Sequence, residues 1–288
     1  MIWRSLSFRR GELFFCAYFV YTAALALLRP IAPELRALTV TTNMAVLLWF
    51  FLFAWAHRGR GFETLDYVRD IYPLPLILLA YRQMQWIALP HAGPRPEQAW
   101  LAWDIRLLVD WRGARLIESA GPLLPALLEA AYLVTYALPV FGVVALTLAG
   151  ARRRIDDFYS VLLFGTLTAY AFYPWFPSET PRLLYPEAAP PMDTLLRRLN
   201  FAVLGQYGIT ASVFPSGHTA CAFSAAFGLL RTLPPRRRAW GWAVFALAAL
   251  IAIATVYGRY HYAVDTAAGF AVALLALGYS FTWRSRTP

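Results

Sequence analysis

The chain has 288 residues, 59% hydrophobic and 16% aromatic, with only 15% charged; a soluble domain carries about a quarter charged residues, so a soluble globular fold is excluded. The formal net charge is +10, yet every basic residue is Arg, gathered in short runs between apolar stretches such as Arg152-Arg153-Arg154 and Arg236-Arg237-Arg238. That is the flank of a membrane span, whereas nucleic-acid binding requires a basic soluble domain, which is absent.

In chain order, the apolar segments predict eight helical spans near residues 12–28, 39–56, 71–89, 123–149, 158–175, 217–233, 239–257 and 262–282. The first follows Arg4, Arg9 and Arg10, as in a signal peptide, but the run from Leu13 to Leu28 is long for one and more spans follow. Thr39 to Ala56 and Ala239 to Gly258 carry no charge, and such runs cross a hydrocarbon core of about 30 Å. Between the third and fourth spans, about Pro90 to Gly121, Trp100, Trp103 and Trp111 stand among Asp104, Arg106 and Asp110. This reads as an ordered loop with a short helix in the headgroup layer. A second long loop, Phe176 to Pro215, is rich in proline (Pro177, Pro181, Pro186, Pro190, Pro191) and reads as a stiff, irregular cap on the bundle. Cys16 and Cys221 lie inside apolar segments without metal-ligand spacing, and no disulfide framework is expected. His57 and His91 read as ordinary loop histidines. The arginine bias puts both termini in the cytoplasm.

That topology brings distant residues together. The sixth span starts at Gly217-His218, the seventh ends near Gly258 and the eighth starts between His261 and Asp265, all on the outer side with Arg259 and the proline loop carrying Arg182. Gathering ionisable groups at one rim of a membrane protein is costly and argues for function. In Pro215-Ser216-Gly217-His218, Ser216 is a helix N-cap. The free N–H groups of that helix start form an anion site, Gly217 permits close backbone approach, and His218 is placed to donate a proton. The alternative is a plain helix cap. His261 and Asp265, four apart, share a helical face. A carboxylate on one imidazole nitrogen leaves the other as nucleophile or base, and Arg259 suits bidentate phosphate binding. The alternative is an Arg–Asp pair that stabilises a turn.

Pro215-Ser216-Gly217-His218, then His261-x-x-x-Asp265, with Pro181-Arg182 upstream, resembles the type 2 phosphatidic acid phosphatase superfamily over about residues 71–282. The resemblance implies an all-α, polytopic transmembrane bundle: two N-terminal spans in residues 1–60 and a six-helix catalytic core in 61–288. It implies that His261 attacks phosphorus to form a phosphohistidine, with Asp265 orienting it and His218 protonating the leaving alcohol. Arg182, Arg259, Ser216 and Gly217 would hold the phosphate oxygens, with no metal or cofactor. The substrate would be a phospholipid or polyprenyl phosphate, cleaved at the outer face of a bacterial cytoplasmic membrane. Three positions depart from the family pattern: Trp175 replaces the motif Lys, Leu183 follows Arg182, and Thr255 stands where the third motif has Arg. His261-Tyr262-x-x-Asp265 is closer to the inositol phosphorylceramide synthase branch, so transfer of a phosphorylated headgroup to an alcohol is the alternative to hydrolysis. A non-enzymatic transporter is a more distant alternative; it predicts charges spread through the bundle interior.

Arg82 and Glu129, inside the third and fourth spans, pair with each other or extend the phosphate site. Arg82, Glu179 and Tyr262 are further candidates for substrate contact. Ala220, Ser224 and Gly228 recur at four-residue spacing, as in close helix packing.

Overall fold

The computed structural model describes residues 7–56, 63–89 and 96–282; His57, His91 and both terminal segments lie outside them. Among the described residues the structure is all-helical. In order it contains α1 (Arg10–Leu28), α2 (Pro33–Ala56), α3 (Glu63–Ile71), α4 (Pro73–Ile87), α5 (Glu97–Ile105), α6 (Gly113–Glu118), α7 (Leu123–Val134), α8 (Leu138–Leu148), α9 (Ile155–Phe172), α10 (Pro181–Leu184), α11 (Leu195–Tyr207), α12 (Gly217–Thr232), α13 (Arg238–Tyr257) and α14 (Ala263–Ser280).

All eight predicted spans are helical. Five segments are long and apolar enough to cross a membrane: Arg10–Leu28, Pro33–Ala56, Leu123–Leu148, Pro235–Tyr257 and Ala263–Ser280. The protein is a multi-pass helical membrane protein. The other three helices, α4, α9 and α12, are shorter or less apolar for a reason of position. α12 packs against α9, α13 and α14 at the centre of the bundle and is buried over nearly its whole length. A helix shielded from lipid by its neighbours keeps small and polar residues such as Thr219, Ser224 and Gly228.

Two corrections concern continuity. The fourth predicted span is broken by a 3-10 turn at Thr135–Ala137, because Pro139 lacks the N–H that would continue the ladder and its ring crowds the preceding turn. The proline-rich loop is not irregular throughout: it contains the short α10 and, after Asp193, the thirteen-residue α11. Thr194 then caps α11, its hydroxyl accepting the N–H of Arg197 at 3.1 Å, and no proline interrupts that helix.

The N-terminal pair is built into the core. α1 packs on α2, α4 and α9, and Phe15, Phe19 and Phe50 join the same apolar cluster as Phe158 and Leu162. Within it, Asn43 donates to Thr22 Oγ1 at 2.8 Å and to the Phe19 carbonyl at 3.0 Å. Gln83 donates to Asn43 Oδ1 at 2.5 Å. One end of the bundle carries an ion-paired girdle: Arg69 on Glu12 (2.6 Å), Arg9 and Arg152 on Asp70 (2.6 and 2.7 Å), and Arg10 on Asp157 (3.1 Å). The start of α1 is capped by Asp156, which accepts the N–H groups of Arg10 and Gly11. The opposite end, where α4, α9 and α13 finish and α12 and α14 begin, holds the candidate site.

Candidate active site

The start of α12 docks on the start of α14: the Ser216 N–H donates to the Asp265 carbonyl at 2.9 Å. This approach needs Gly269, since a Cβ there would lie 2.5 Å from the Ser216 carbonyl oxygen. It carries His218 toward the 258–262 turn, where the Thr255 carbonyl accepts the N–H groups of Tyr260 and His261.

The two imidazoles meet directly. His218 Nδ1 lies 3.3 Å from His261 Nε2, His261 Nδ1 lies 3.0 Å from the Val213 carbonyl, and His218 Nε2 lies 3.2 Å from the Tyr136 hydroxyl. A carbonyl oxygen only accepts, so His261 Nδ1 carries the proton and Nε2 is bare. His218 Nδ1 therefore donates to it, and Tyr136 O–H donates to His218 Nε2. Burial holds His261 well below an ordinary histidine, at about 3, against the opposing pull of the Val213 carbonyl. The ring is neutral at physiological pH. Asp265, expected to orient His261, is second to Val213 in that role: its Oδ2 lies 3.5 Å from Nδ1 and accepts the Tyr262 N–H at 2.9 Å. Tyr132 stacks on His218 at 4.6 Å and on Tyr260 at 3.9 Å, clamping the ring.

Both histidines line a cavity of about 670 Å³ whose wall also includes Arg182, Arg197, Arg259 and Glu179. Arg182 is half-buried and lies over the rings of Tyr260 (5.3 Å) and Phe201 (5.8 Å). Arg259 is left-handed (φ 62), fully buried, and its guanidinium nitrogens make no hydrogen bond. Arg197 is neutralised by Glu129 at 3.0 Å, and Glu129 also accepts from Asn200 (2.6 Å) and Tyr260 (2.5 Å). A separate apolar groove of about 260 Å³ is lined by Leu74, Ile77 and Leu78 of α4, Val140 of α8, and Cys221. Tyr81, Tyr173 and His218 belong to both spaces.

Several candidates have other partners. Arg82 does not pair with Glu129; it is exposed and donates to the carbonyls of Tyr207 and Gly208 at 3.2 Å, capping the end of α11. The helix-start donors proposed for an anion are engaged internally: Gly217 N–H donates to the Tyr173 hydroxyl at 3.1 Å and Thr219 N–H to Ser216 Oγ at 3.3 Å. Gly217 faces the groove, and a Cβ on it would meet Tyr170 Cε1 and Tyr173 Oη, both at 2.7 Å. Tyr262 is buried against Trp100 and is not part of the cavity lining. Trp175, at the motif Lys position, turns to α1 and donates to Tyr21 Oη at 2.6 Å. Thr255 is buried against Thr266, 3.0 Å between hydroxyls.

Sequence reading missed Tyr132, Tyr136, Arg197 and Asp104. For the tyrosines a signal existed: Glu129, Tyr132 and Tyr136 fall on one helical face at spacings of three and four.

A multi-pass helical membrane protein with an arginine-walled cavity at one end of its bundle is the class that this structure defines. The PAP2 superfamily model matches residues 98–279, more than half of the chain, and the chain belongs to that superfamily. Members of that superfamily are phosphatases. A PA-phosphatase related-family protein of Dictyostelium discoideum is 40% identical over 82 residues, 28% of this chain and 13% of that protein. No solved structure matches. The family match begins within α5, so α1 to α4, including the third predicted span, lie outside it.

Proposed function

We propose that the chain is an integral membrane lipid phosphatase that hydrolyses a phosphoester or pyrophosphate of an amphipathic lipid through a phosphohistidine. The observation that carries this reading is the His218–His261 pair, 3.3 Å apart, opening into a cavity walled by arginines. His261 Nε2, bare because Nδ1–H is held by Val213, attacks phosphorus as the rings part around the phosphoryl group. The phosphorus–oxygen bond to the leaving alcohol breaks; His218, charged to imidazolium at Nε2 by the proton that the substrate's phosphate monoanion brings in, passes its Nδ1 proton to that oxygen and is left neutral. His218 then takes a proton from water as it attacks the phosphohistidine, releasing phosphate and restoring both rings. Arg182 and Arg259 neutralise the phosphoryl oxygens. No step of this scheme requires a metal or cofactor.

The lipid character of the substrate is supported by the groove that reaches His218 from the α4–α8 side: a polar head in the cavity and an apolar chain in the groove meet at this residue. A phospholipid or a polyprenyl phosphate fits that description. The arginine girdle at the far end supports a site facing away from the cytoplasm, at the periplasmic face of a bacterial inner membrane. Headgroup transfer is favoured by one observation: a 670 Å³ cavity has room for an acceptor beside the phosphoryl group.

The test is purified protein in detergent with phosphatidic acid and a polyprenyl pyrophosphate, following free phosphate and new phospholipid. Wild type releases phosphate, and His261→Ala loses about a thousandfold or more in kcat. Full turnover by His261→Ala overturns the reading; a new phospholipid that forms only with an added alcohol replaces hydrolysis by transfer.

A further inference from the structure

One short helix from the Trp-rich segment touches all three motif regions. Glu97 Oε1 accepts the Glu179 N–H at 3.2 Å, three residues before Arg182. Trp100 stacks on Phe214 at 5.5 Å and meets Tyr262 edge-on at 5.5 Å. Asp104 Oδ1 accepts the Ala263 N–H at 2.9 Å, at the start of α14. The helix then passes into a π turn, Arg106–Asp110, a geometry concentrated at functional sites.

Asp104 has a second neighbour. Its Oδ2 lies 3.6 Å from Arg259 Nη1, with 0% and 2% of the two side chains exposed. The distance is within ion-pair range but too long for a hydrogen bond. Neither Oδ2 nor any guanidinium nitrogen of Arg259 has a hydrogen-bond partner. Such a pair is an expensive arrangement, since buried charges are compensated only by close, fully bonded geometry. The Arg259 backbone adds strain by its left-handed conformation, φ 62. Burial raises Asp104 to about 6, while the Ala263 N–H and Arg259 pull it back toward the ionised form. Arg259, meanwhile, lines the cavity beside both imidazoles.

We propose that Asp104 is a positioning residue for phosphate recognition: it holds Arg259 at the cavity wall as a loosely attached counter-charge and yields the guanidinium to the phosphoryl group. The inference rests on the phosphatase reading. A phosphoryl group offers several oxygens in bidentate geometry where Asp104 offers one distant oxygen, so the fork exchanges a poor partner for a good one. Asp104 keeps its hold on Ala263 throughout, and with it the start of α14 that carries Asp265.

Asp104→Asn separates the two roles, because Asn keeps an acceptor for the Ala263 N–H and removes the charge. Inorganic phosphate and orthovanadate are titrated calorimetrically into detergent-solubilised wild type, Asp104→Asn, Arg259→Ala and the double variant, with kcat and KM measured in parallel. In Asp104→Asn the competing carboxylate is gone, so anion binding tightens about tenfold, equivalent to roughly 1.4 kcal/mol. KM falls with it, and kcat falls because product anion is retained. In the Arg259→Ala background the same change has no effect on anion affinity. Asp104→Ser, also uncharged, repeats the comparison if Asn folds poorly. A purely structural role leaves affinity unchanged or weakened in Asp104→Asn, and that result overturns the inference. So does tightening that persists without Arg259. A folded wild type that binds neither anion overturns the phosphatase reading as well, which distinguishes the two failures.

Discussion

At the paired histidines, proton ownership is decided by a group that has no choice. The Val213 carbonyl accepts only, and from that one constraint the protonation of three side chains follows, ending at the Tyr136 hydroxyl. Tyr136→Phe removes the last donor and frees His218 to adopt the other tautomer. We expect kcat to fall about tenfold with KM little changed, the worth of one hydrogen bond; steady-state kinetics on the released phosphate checks it, and unchanged kcat removes Tyr136 from the relay. The low value of His261, about 3, has a consequence for stability. An unfolded histidine titrates near ~6.5, so from there down to about 3 the unfolded chain binds a proton that the native chain does not. Stability is lost as pH falls through that window. Asp104, raised to about 6, acts oppositely between pH 6 and its unfolded value near ~3.9. Melting curves from pH 7 to 5 should therefore flatten in His261→Gln and steepen in Asp104→Asn. His218, His261 and Asp265 were legible in sequence because their spacing and helix-end context mark them. Asp104 was not, since among three tryptophans it looks like a charge on an imperfect interfacial helix; only the fold shows that it points inward while Trp103 and Trp111 point out.

At the scale of elements, the site depends on how closely two helix starts approach. Gly269 sits where α14 meets the Ser216 carbonyl, and nothing in the sequence marks it among the glycines of the apolar spans. Gly269→Ala forces the helices apart. We expect about 1–3 kcal/mol of destabilisation, typical of overpacking, together with reduced turnover as the His218–His261 spacing opens. Thermal melting and kcat on the same preparation test this, and an unshifted melting point counts against the close approach. The eight apolar segments were readable because burial in lipid imposes length and composition. The 3-10 break before Pro139 was readable in principle, from the proline alone. That the break would point Tyr136 at His218 was not, because it depends on the packing of α12. α11 carried its own signal in Thr194 and was obscured by the prolines before it.

Across the whole molecule, α1 and α2 lie outside the family match yet share its apolar core. Their attachment is specific as well as apolar: Asn43, Thr22 and Gln83 form a bonded set inside the span region. Truncating Asn43 to Ala leaves buried donors and acceptors unpaired, at about 1–3 kcal/mol. We expect a lower melting temperature with kcat retained, since none of the three touches the cavity. A large loss of kcat at unchanged stability would instead tie these helices to catalysis. At the other end, Arg9, Arg10, Arg69 and Arg152 are held on carboxylates, while Arg153, Arg236, Arg237 and Arg238 stay exposed and carry part of the net charge of +10.

His218 stands on the border between a wet chamber and an oily one. In the proposed reaction, a proton donor at such a frontier works as a ruler: it finds the atom at which a molecule changes from water-loving to oil-loving, whatever the length of the tail beyond. Selectivity built this way reads the junction of a lipid before it reads its name.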